Sequence, residues 1–343
     1  MTQQVAISGF GRIGRSVLRA WLERADTSEW TVVVINEPAD PEAIALLTRY
    51  DSNYGRLREP VSVQEHHLQV GGHRIRLLPG LDPAAADWGG LGVDLVLDCT
   101  GLAADRAAGE AHLNAGAHRV LFSQPGTPDL DLTAVRGFND SSIEPGNRLL
   151  SAGSCTTNCL IPLLSIVDQA VGVVRGATTT LHAAMNDQPV GDTLQGNELR
   201  RTRSALNAFM PIDTALGRGV ERLMPALAGR IDCLHMRLPT TTVSAMDLTL
   251  VSERATSTDA INQALIKASE QRWRGLIGVC EDPVSSVDFS KDPHSGVVDL
   301  TQTRVIDGHL IKLICWFDNE WGFANRMVDL ANDLARMNRP PAD

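Results

Sequence analysis

The sequence predicts an α/β protein in which a doubly wound parallel sheet precedes an α+β part with a mixed or antiparallel sheet. The first 150 residues alternate short apolar segments with helical segments, a pattern typical of a parallel sheet covered by helices on both faces. The remainder carries long strand-like segments with few helices between them. A length of 343 residues fits two domains, because one domain usually holds roughly 100–200 residues.

Hydrophobic periodicity and end signals define the elements of the first part. Short apolar or β-branched runs predict strands, and apolar side chains at helical spacing predict the helices between them. Gly116 ends the third helix, where a left-handed residue is favoured. The predicted strands are 5–8, 31–35, 93–99 and 119–123, and the predicted helices are 12–24, 41–48 and 103–115.

The second part begins with a helix predicted over residues 156–170. Long strands follow at 177–183, 231–238, 243–251 and 309–316, with a helix at 259–273. Residues 185–202 are polar and aperiodic, which predicts a long ordered loop of the kind that often carries function. After residue 318 apolar residues recur on one stripe and predict a C-terminal helix.

The composition favours a protein that acts on small molecules. With 41 acidic and 31 basic residues the net charge is −10, which argues against nucleic acid as the main partner. We expect no membrane span and no secretory signal, because apolar runs are short and the N-terminus is polar. Six irregularly spaced cysteines favour free thiols in a reducing compartment, by default the cytoplasm.

Gly9, Gly11 and Gly14 form a G-x-G-x-x-G pattern between the first strand and the first helix. In this position the first glycine allows a tight turn, the second lets the backbone approach a pyrophosphate, and the third lets the helix lie close to the strand. The helix N-terminus attracts an anion, and Arg12 adds a full charge. The pattern predicts a Rossmann-type dinucleotide-binding domain; the alternative is a glycine-rich turn that binds no ligand.

Glu37 follows the second predicted strand. A carboxylate at that strand end accepts hydrogen bonds from the ribose hydroxyls of a dinucleotide. It also repels a 2′-phosphate. The cofactor is therefore expected to be NAD rather than NADP.

Cys155 lies at the predicted start of a helix, in a polar segment that ends at Cys159. A helix N-terminus lowers the pKa of a thiol, and the thiolate is the attacking species, so we expect an acidic, nucleophilic Cys155. Cys159 lies one turn further, among core residues. Two buried core cysteines are the alternative. A metal site is not expected, because no second Cys/His pair has suitable spacing.

A nucleophilic cysteine needs a base, and His182 is the best candidate among the nine histidines. It ends the predicted strand 177–183, next to the long loop, and strand ends facing loops often carry catalytic side chains. The alternative is a structural histidine whose ring is hydrogen-bonded in the core.

Several segments of the chain carry a specific resemblance. They are 9–15 (GFGRIGR), 154–159 (SCTTNC) and 316–322 (WFDNEWG). Together, and across essentially the whole chain, they resemble the glyceraldehyde-3-phosphate dehydrogenase superfamily. Segments 95–101 (LVLDCTG), 122–126 (FSQPG), 182–188 (HAAMNDQ), 292–295 (DPHS), 301–304 (TQTR) and 319–326 (NEWGFANR) look most like its bacterial D-erythrose-4-phosphate dehydrogenase branch.

The resemblance implies a domain organisation and an assembly. It implies a dinucleotide-binding domain of residues 1–153, on which the C-terminal helix 319–343 packs back, and a catalytic domain of residues 154–318. It further implies a cytoplasmic homotetramer, in which the loop at about 185–202 lies near the cofactor of a neighbouring subunit.

Residue roles follow motif by motif from the resemblance. Cys155 matches the nucleophile, and His182 matches the base that activates it and takes the hydroxyl proton during oxidation. The implied NAD-binding residues are Gly9, Gly11, Arg12, Ile13, Gly14, Glu37, Ser123 and Asn319. The implied substrate-binding residues are Ser154, Thr156, Arg201, Thr214 and Arg237. Within residues 200–203 (RRTR), Arg200 and Arg203 remain alternatives to Arg201.

Met185 bears on the substrate, because glycolytic members of the superfamily usually have a threonine there that helps to hold the substrate phosphate. The resemblance therefore implies NAD-dependent oxidation of D-erythrose 4-phosphate to 4-phosphoerythronate, through a thioester resolved by water, on the route to pyridoxal phosphate. One alternative is the phosphorylating dehydrogenase of glycolysis. The other is a non-catalytic NAD-binding sensor, supported by the departures from the family pattern at Ser8, Tyr54, Leu81 and Ala152.

Overall fold

The computed structural model describes residues 2–24, 28–194 and 198–337. The chain divides into two compact units, one formed by Met1–Ser154 with Ala324–Asp343 and the other by Cys155–Phe323. Each unit is built on its own sheet. The predicted fold class is confirmed: the first sheet is mostly parallel, the second is mixed, and the last element of the described residues is a helix.

The first unit contains eleven strands and three α-helices before residue 154, within the described residues. In chain order they are β1 (Gln3–Ser8), α1 (Arg12–Leu22), β2 (Trp30–Asn36), α2 (Pro41–Arg49), β3 (Tyr50–Asp51), β4 (Gly55–Arg56), β5 (Val61–Gln64), β6 (His67–Val70), β7 (His73–Leu78), β8 (Leu95–Asp98), α3 (Arg106–Asn114), β9 (Arg119–Phe122), β10 (Leu132–Thr133) and β11 (Leu149–Ser151).

Strand order in the first sheet is β10-β11-β9-β8-β1-β2-β7-β6-β5. All neighbours from β10 to β7 pair in parallel, and their side chains are largely buried, as expected for strands covered on both faces. The carboxyl ends of β1, β2, β8 and β9 therefore lie side by side. That edge is where a parallel α/β sheet binds its ligand.

The antiparallel edge formed by β5, β6 and β7 was not predicted. Its apolar residues alternate with polar ones, as in a half-buried strand, but the β5–β6 turn lacks the usual Asn-Gly or Asp-Gly signal. Glu65 and His66 take the positive φ values there, 47° and 61°. Because these residues rarely adopt that conformation, no turn signal stands between the two strands in the sequence.

The second unit opens with a long helix and continues mainly as strands. In chain order its elements are α4 (Cys155–Val171), β12 (Val173–Ala183), β13 (Met210–Ile212), α5 (Leu216–Leu223), β14 (Ile231–Leu238), β15 (Ser244–Ser252), α6 (Thr258–Glu270), β16 (Ile277–Cys280), β17 (Gly296–Asp299), β18 (Arg304–Ile306) and β19 (Leu310–Phe317). None of the described helices is long and apolar enough to cross a membrane.

The second sheet is mixed, in the order β13-β14-β12-β15-β19-β17-β16, with β18 paired to β19. Its central strand β12 pairs in parallel with β14 and antiparallel with β15. The β12–β14 register places Thr180 opposite His235 and His182 opposite Arg237. Side chains at such paired positions project from the same face, so this register brings a histidine and an arginine together.

Helix α7 (Trp321–Met337) is the last element of the described residues, and from Ala324 onward it belongs to the first unit. Arg24 Nη2 donates to Asp329 Oδ1 at 2.7 Å, and the Glu29 backbone N–H donates to Asn332 Oδ1 at 3.1 Å. Arg136 Nη1 also donates to the Asp329 carbonyl, at 3.0 Å. These hydrogen bonds connect α7, the predicted C-terminal helix, to loops of the first unit.

Candidate active site

Cys155 is the first residue of α4 and follows a turn that leaves β11. Ser151 Oγ accepts the Gly153 N–H at 3.0 Å and donates to the Gln124 carbonyl at 2.7 Å. Gly153 adopts a φ of +69°, which a residue with a side chain rarely takes. The turn thus places Cys155 at the start of α4. Cys155 is half-buried there, whereas Cys159, one turn later, is fully buried.

His182 lies at the carboxyl end of β12, and its ring reaches the cysteine. Cys155 Sγ is 3.6 Å from His182 Nε2, and His182 Nδ1 is 2.7 Å from the Ala183 carbonyl oxygen. The carbonyl can only accept, so Nδ1 carries the proton and Nε2 presents its lone pair to the sulfur. The structure therefore brings together the two residues that the sequence proposed as nucleophile and base.

The structure does not support the sequence-based expectation of an acidic thiol. Burial raises the pKa of the Cys155 thiol to about 12, although the Thr156 backbone N–H and the Arg237 charge both act to lower it. Burial, with the Arg237 charge, also lowers the pKa of His182 to about 4. Desolvation outweighs the helix N-terminus, and at neutral pH the pair consists of a thiol and a neutral imidazole.

Three side chains that the sequence did not link to His182 hold its ring in place. His235 stacks on it with 4.8 Å between ring centroids, and Phe317 meets it edge-on at 6.5 Å. Arg237 Nη1 lies 3.3 Å from His182 Nδ1 and donates to the Ala183 carbonyl at 3.3 Å. Alternation along β14 puts His235 and Arg237 on one face, but only the parallel register with β12 places them beside His182.

Two arginines of the predicted anion sites meet at a carboxylate. Arg201 Nη1 donates to Asp187 Oδ2 at 2.7 Å, and Arg237 Nη2 lies 4.0 Å from the same oxygen. Arg203 instead pairs with Asp192 at 3.0 Å, and its side chain is 64% exposed. Among the alternatives in residues 200–203, the structure brings Arg201 to Arg237. Asp187 was not predicted as a site residue.

The remaining predicted residues are Asn319, Thr156, Thr214 and Ser154. Asn319 is buried, and its Oδ1 accepts from Ser244 Oγ at 3.1 Å. Thr156 is buried in the first turn of α4. Thr214 Oγ1 accepts the Leu216 N–H at 3.2 Å, at the start of α5. Ser154, which directly precedes the nucleophile in the chain, is assigned to the first unit.

The glycine turn of the first unit has the geometry that a pyrophosphate site requires. Gly9 adopts a φ of +83°, and a Cβ there would come within 2.6 Å of the Thr100 backbone. A Cβ at Gly14 would come within 2.3 Å of the Gly9 carbonyl oxygen. A Cβ at Gly11 would meet no described heavy atom within 4 Å, so this glycine faces open space at the start of α1. The turn therefore fits an approaching phosphate.

Glu37 and Ser123 lie at the same sheet edge as the glycine turn. Glu37 Oε2 accepts the Phe10 N–H at 2.8 Å, and Ser123, directly after β9, donates its N–H to the Asp98 carbonyl at 2.9 Å. The Glu37 carboxylate is thus fixed beside the turn, where the sequence predicts the ribose. Together with the turn, these residues fit a dinucleotide such as NAD.

Arg12 and Ile13 begin α1 directly after Gly11. The Arg12 guanidinium pairs with Asp51 at 2.5 Å and lies over the Tyr54 ring. Burial raises the pKa of Asp51, but the Tyr54 backbone N–H and Arg12 outweigh it and hold that pKa below its ordinary value. The Arg12 charge, which the sequence analysis assigned to a pyrophosphate, is therefore offset by the Asp51 carboxylate. The N-terminus of α1 itself remains as the anion site.

A parallel sheet with a glycine turn suits a dinucleotide, and a cysteine beside a histidine in the mixed sheet suits covalent chemistry on an aldehyde. Comparison with protein families agrees: residues 3–106 match the glyceraldehyde 3-phosphate dehydrogenase NAD binding domain, and residues 154–319 match the glyceraldehyde 3-phosphate dehydrogenase C-terminal domain. The chain belongs to the glyceraldehyde-3-phosphate dehydrogenase family and is an oxidoreductase that acts on an aldehyde with NAD.

The glycine turn generates a paired prediction. In Gly14→Ala the new methyl group meets the Gly9 carbonyl oxygen, so we expect a loss of about 1–3 kcal/mol in the free energy of unfolding. In Gly11→Ala the methyl group points into open space, so stability stays within about 1 kcal/mol while NAD affinity falls at least roughly tenfold. Urea denaturation and fluorescence titration with NAD measure both quantities. Unchanged NAD affinity in Gly11→Ala would place the cofactor elsewhere.

The neutral thiol generates a second prediction. The rate of alkylation by iodoacetamide follows the thiolate fraction, so its pH midpoint in the NAD-free protein should lie above the ordinary thiol value of about 8.5. Mass spectrometry of the Cys155 peptide over pH 6–10 measures it, and Cys155→Ala corrects for the other thiols. A plateau already reached below pH 7 would show that an ion pair exists instead.

The two stacked imidazoles generate a third prediction. Burial lowers the pKa of His182 to about 4 and that of His235 to about 3, both below the ordinary value of about 6.5. The unfolded chain therefore binds more protons between pH 6.5 and 4, and stability falls as the pH is lowered through that window, by about 1.4 kcal/mol per pH unit for each proton.

His235→Phe retains an aromatic ring but does not titrate. Urea denaturation at pH 7, 6 and 5 should show a smaller loss of stability on acidification in this variant than in the wild type. Equal pH dependence in His235→Phe and wild type would show that His235 is not buried in its neutral form.

Proposed function

We propose that this protein oxidises D-erythrose 4-phosphate to 4-phosphoerythronate with NAD, through a thioester on Cys155 that water resolves. The observation that carries the proposal is the 3.6 Å approach of Cys155 Sγ to an imidazole nitrogen that holds no proton. Membership in an aldehyde-oxidising, NAD-dependent family is consistent with that pair. In the proposed sequence of reactions this step leads to pyridoxal phosphate.

In this mechanism Cys155 and His182 perform the covalent chemistry. The sulfur attacks the aldehyde carbon while His182 Nε2 takes the thiol proton and returns it to the new hydroxyl, which gives a thiohemiacetal. Nε2 then takes the hydroxyl proton as the carbon is oxidised to a thioester. NAD, when bound, supplies the two-electron acceptor. In the proposed mechanism the Cys155 backbone N–H, at the start of α4, stabilises the oxygen anion that forms on the reacting carbon.

Arginine side chains support a phosphorylated substrate. Arg201 and Arg237 meet around one carboxylate oxygen, and guanidinium groups recognise phosphate through paired N–H donors. Met185 supports a four-carbon chain: its thioether cannot donate the hydrogen bond that a threonine hydroxyl gives to the phosphate in glycolytic enzymes. We propose that Ser154, Thr156 and Thr214 supply the hydroxyl partners of the substrate.

The proposed roles in NAD binding follow the same reasoning. Gly9, Gly11 and Gly14 form the turn, and the N–H groups of Arg12 and Ile13 face the pyrophosphate. Glu37 and Ser123 lie at the same sheet edge. Asn319, with its carbonyl oxygen engaged by Ser244, presents its amide to the nicotinamide carboxamide.

We also propose that the chain self-associates in the cytoplasm, as a homotetramer. The long segment after β12 exposes large apolar side chains to an unusual degree, and exposed apolar clusters often mark protein interfaces. The exposed apolar side chains of this segment are Val190, Leu194, Leu199, Leu206 and Phe209, and each is at least 65% exposed.

A comparison of two aldehydes tests the proposed activity. We expect NADH formation to be faster with D-erythrose 4-phosphate than with glyceraldehyde 3-phosphate, and to proceed without inorganic phosphate. Cys155→Ala should abolish turnover because the covalent route is lost, and His182→Asn should lower it roughly 10²–10⁴-fold. Cys280→Ala, which changes a thiol outside the site, serves as the control.

The outcomes separate the alternatives. Strong preference for glyceraldehyde 3-phosphate with an absolute requirement for phosphate would identify the phosphorylating enzyme instead. No NADH with either aldehyde, together with full NAD binding, would identify a non-catalytic sensor.

A further inference from the structure

A buried histidine of the first unit has no place among the roles proposed above. His112 belongs to α3, and its side chain is 1% exposed. Trp88 Nε1 donates to His112 Nδ1 at 3.0 Å, and His112 Nε2 lies 3.2 Å from Asp98 Oδ2. An indole N–H can only donate, so Nδ1 is the acceptor in the first contact. The ring proton is therefore on Nε2, which donates to the Asp98 carboxylate.

Asp98 connects this histidine to the turn that follows β8. Its side chain is buried, and its other oxygen, Oδ1, accepts the Thr100 backbone N–H at 2.9 Å and the Thr100 hydroxyl at 2.7 Å. Thr100 Oγ1 in turn accepts the Leu102 N–H at 3.2 Å. The Asp98 carboxylate thus fixes the conformation of residues 100–102, and His112 fixes the orientation of the carboxylate.

The turn after β8 packs against the glycine turn of the candidate NAD site. A Cβ at Gly9 would come within 2.6 Å of the Thr100 backbone, so the two turns are in direct contact. In the sheet, β2 lies on one side of β1 and β8 lies on the other. A parallel α/β sheet binds its ligand in the crevice at such a reversal of strand order, between the loops that follow the two strands. A displacement of Thr100 would therefore change the crevice itself.

We propose that His112 is a positioning residue for NAD binding: it orients the Asp98 carboxylate, which holds residues 100–102 against the glycine turn. Without the Nε2 proton, one oxygen of a buried carboxylate loses its donor, and buried polar atoms are normally matched. The carboxylate would then turn toward another donor, which releases Thr100. This inference requires only that the chain binds NAD, and it does not depend on which aldehyde is oxidised.

Two amide substitutions separate the two hydrogen bonds of the imidazole. In His112→Gln the terminal amide nitrogen extends to the position of Nε2 and can still donate to Asp98, whereas the acceptor for Trp88 is lost. In His112→Asn the shorter side chain keeps an acceptor near the position of Nδ1 but does not extend to Asp98. Isothermal titration with NAD should therefore give a dissociation constant raised at least roughly tenfold in His112→Asn and less than roughly threefold in His112→Gln.

Urea denaturation separates this effect from a general loss of stability. Both His112 variants should have a lower urea midpoint than the wild type, because each leaves a buried group unpaired. Val70→Ala provides the control, because this buried residue of β6 is separated from β8 by three strands. Its truncation should also lower the midpoint, while the affinity for NAD stays at the wild-type value.

Asp98→Asn tests the connection between the histidine and the turn. One end of the new amide can only donate, so the side chain cannot accept from both His112 and Thr100. NAD affinity should fall at least roughly tenfold. The double variant His112→Asn/Asp98→Asn should bind NAD within about twofold of the weaker single variant, because both substitutions break one connection.

The outcomes decide whether His112 acts on the cofactor site. Wild-type NAD affinity in folded His112→Asn would overturn the proposal, and if that variant does not fold, wild-type affinity in Asp98→Asn would do so. An equal rise of the dissociation constant in both His112 variants, or the same rise in Val70→Ala, would also overturn it, since NAD affinity would then follow stability. Fully additive effects in the double variant would show that His112 and Asp98 act separately, contrary to the proposal.

Discussion

The contact between a neutral imidazole and a thiol is the constraint on which the rest of the second unit depends. Burial disfavours charge on both His182 and Cys155, so neither group carries the charge that an exposed thiolate–imidazolium pair would have. The Ala183 carbonyl fixes which nitrogen faces the sulfur. The pair is therefore held ready for proton transfer, and the negative charge arises when the sulfur attacks, not before.

The sheet of the second unit explains why this pair forms where it does. The parallel register of β12 and β14 puts Arg237 beside His182, and it puts His235, two residues earlier on β14, where it stacks on the same ring. A shift of one residue in this register would turn the arginine and the second imidazole to the opposite face. Strand pairing, rather than the nearby loops, thus places most of the groups that act on the imidazole.

The sequence was sufficient for the elements that obey local rules. The glycine turn could be predicted because Gly9 needs a positive φ and Gly14 lies too close to the Gly9 backbone for a side chain. Cys155 could be predicted because it begins a helix. The hairpin at β5–β7 was missed because its turn uses Glu65 and His66 at positive φ. The expectation of an acidic Cys155 thiol is not supported, because a helix start is a local signal, whereas desolvation depends on which strands pack around the sulfur.

Asp187 and His235 are site residues that local sequence signals also could not identify. Neither is set apart by spacing along the chain: one lies in a polar turn and the other within a strand. Their roles arise from register and from the return of the loop that carries Arg201, which are long-range features. The sequence motif included Asp187 but could not show that its carboxylate meets an arginine.

Asn319, which is proposed to bind the nicotinamide carboxamide, is connected by hydrogen bonds to the segment that carries His182. Ser244 Oγ accepts the Ala183 N–H at 3.1 Å and donates to Asn319 Oδ1 at 3.1 Å. Ala183 also supplies the carbonyl that sets the His182 tautomer, so one peptide segment at the end of β12 orients both the imidazole and, through Ser244, the amide. Because all of these groups are buried, a displacement of that segment would disturb both orientations together, which couples the proton acceptor to the residue proposed to hold the nicotinamide.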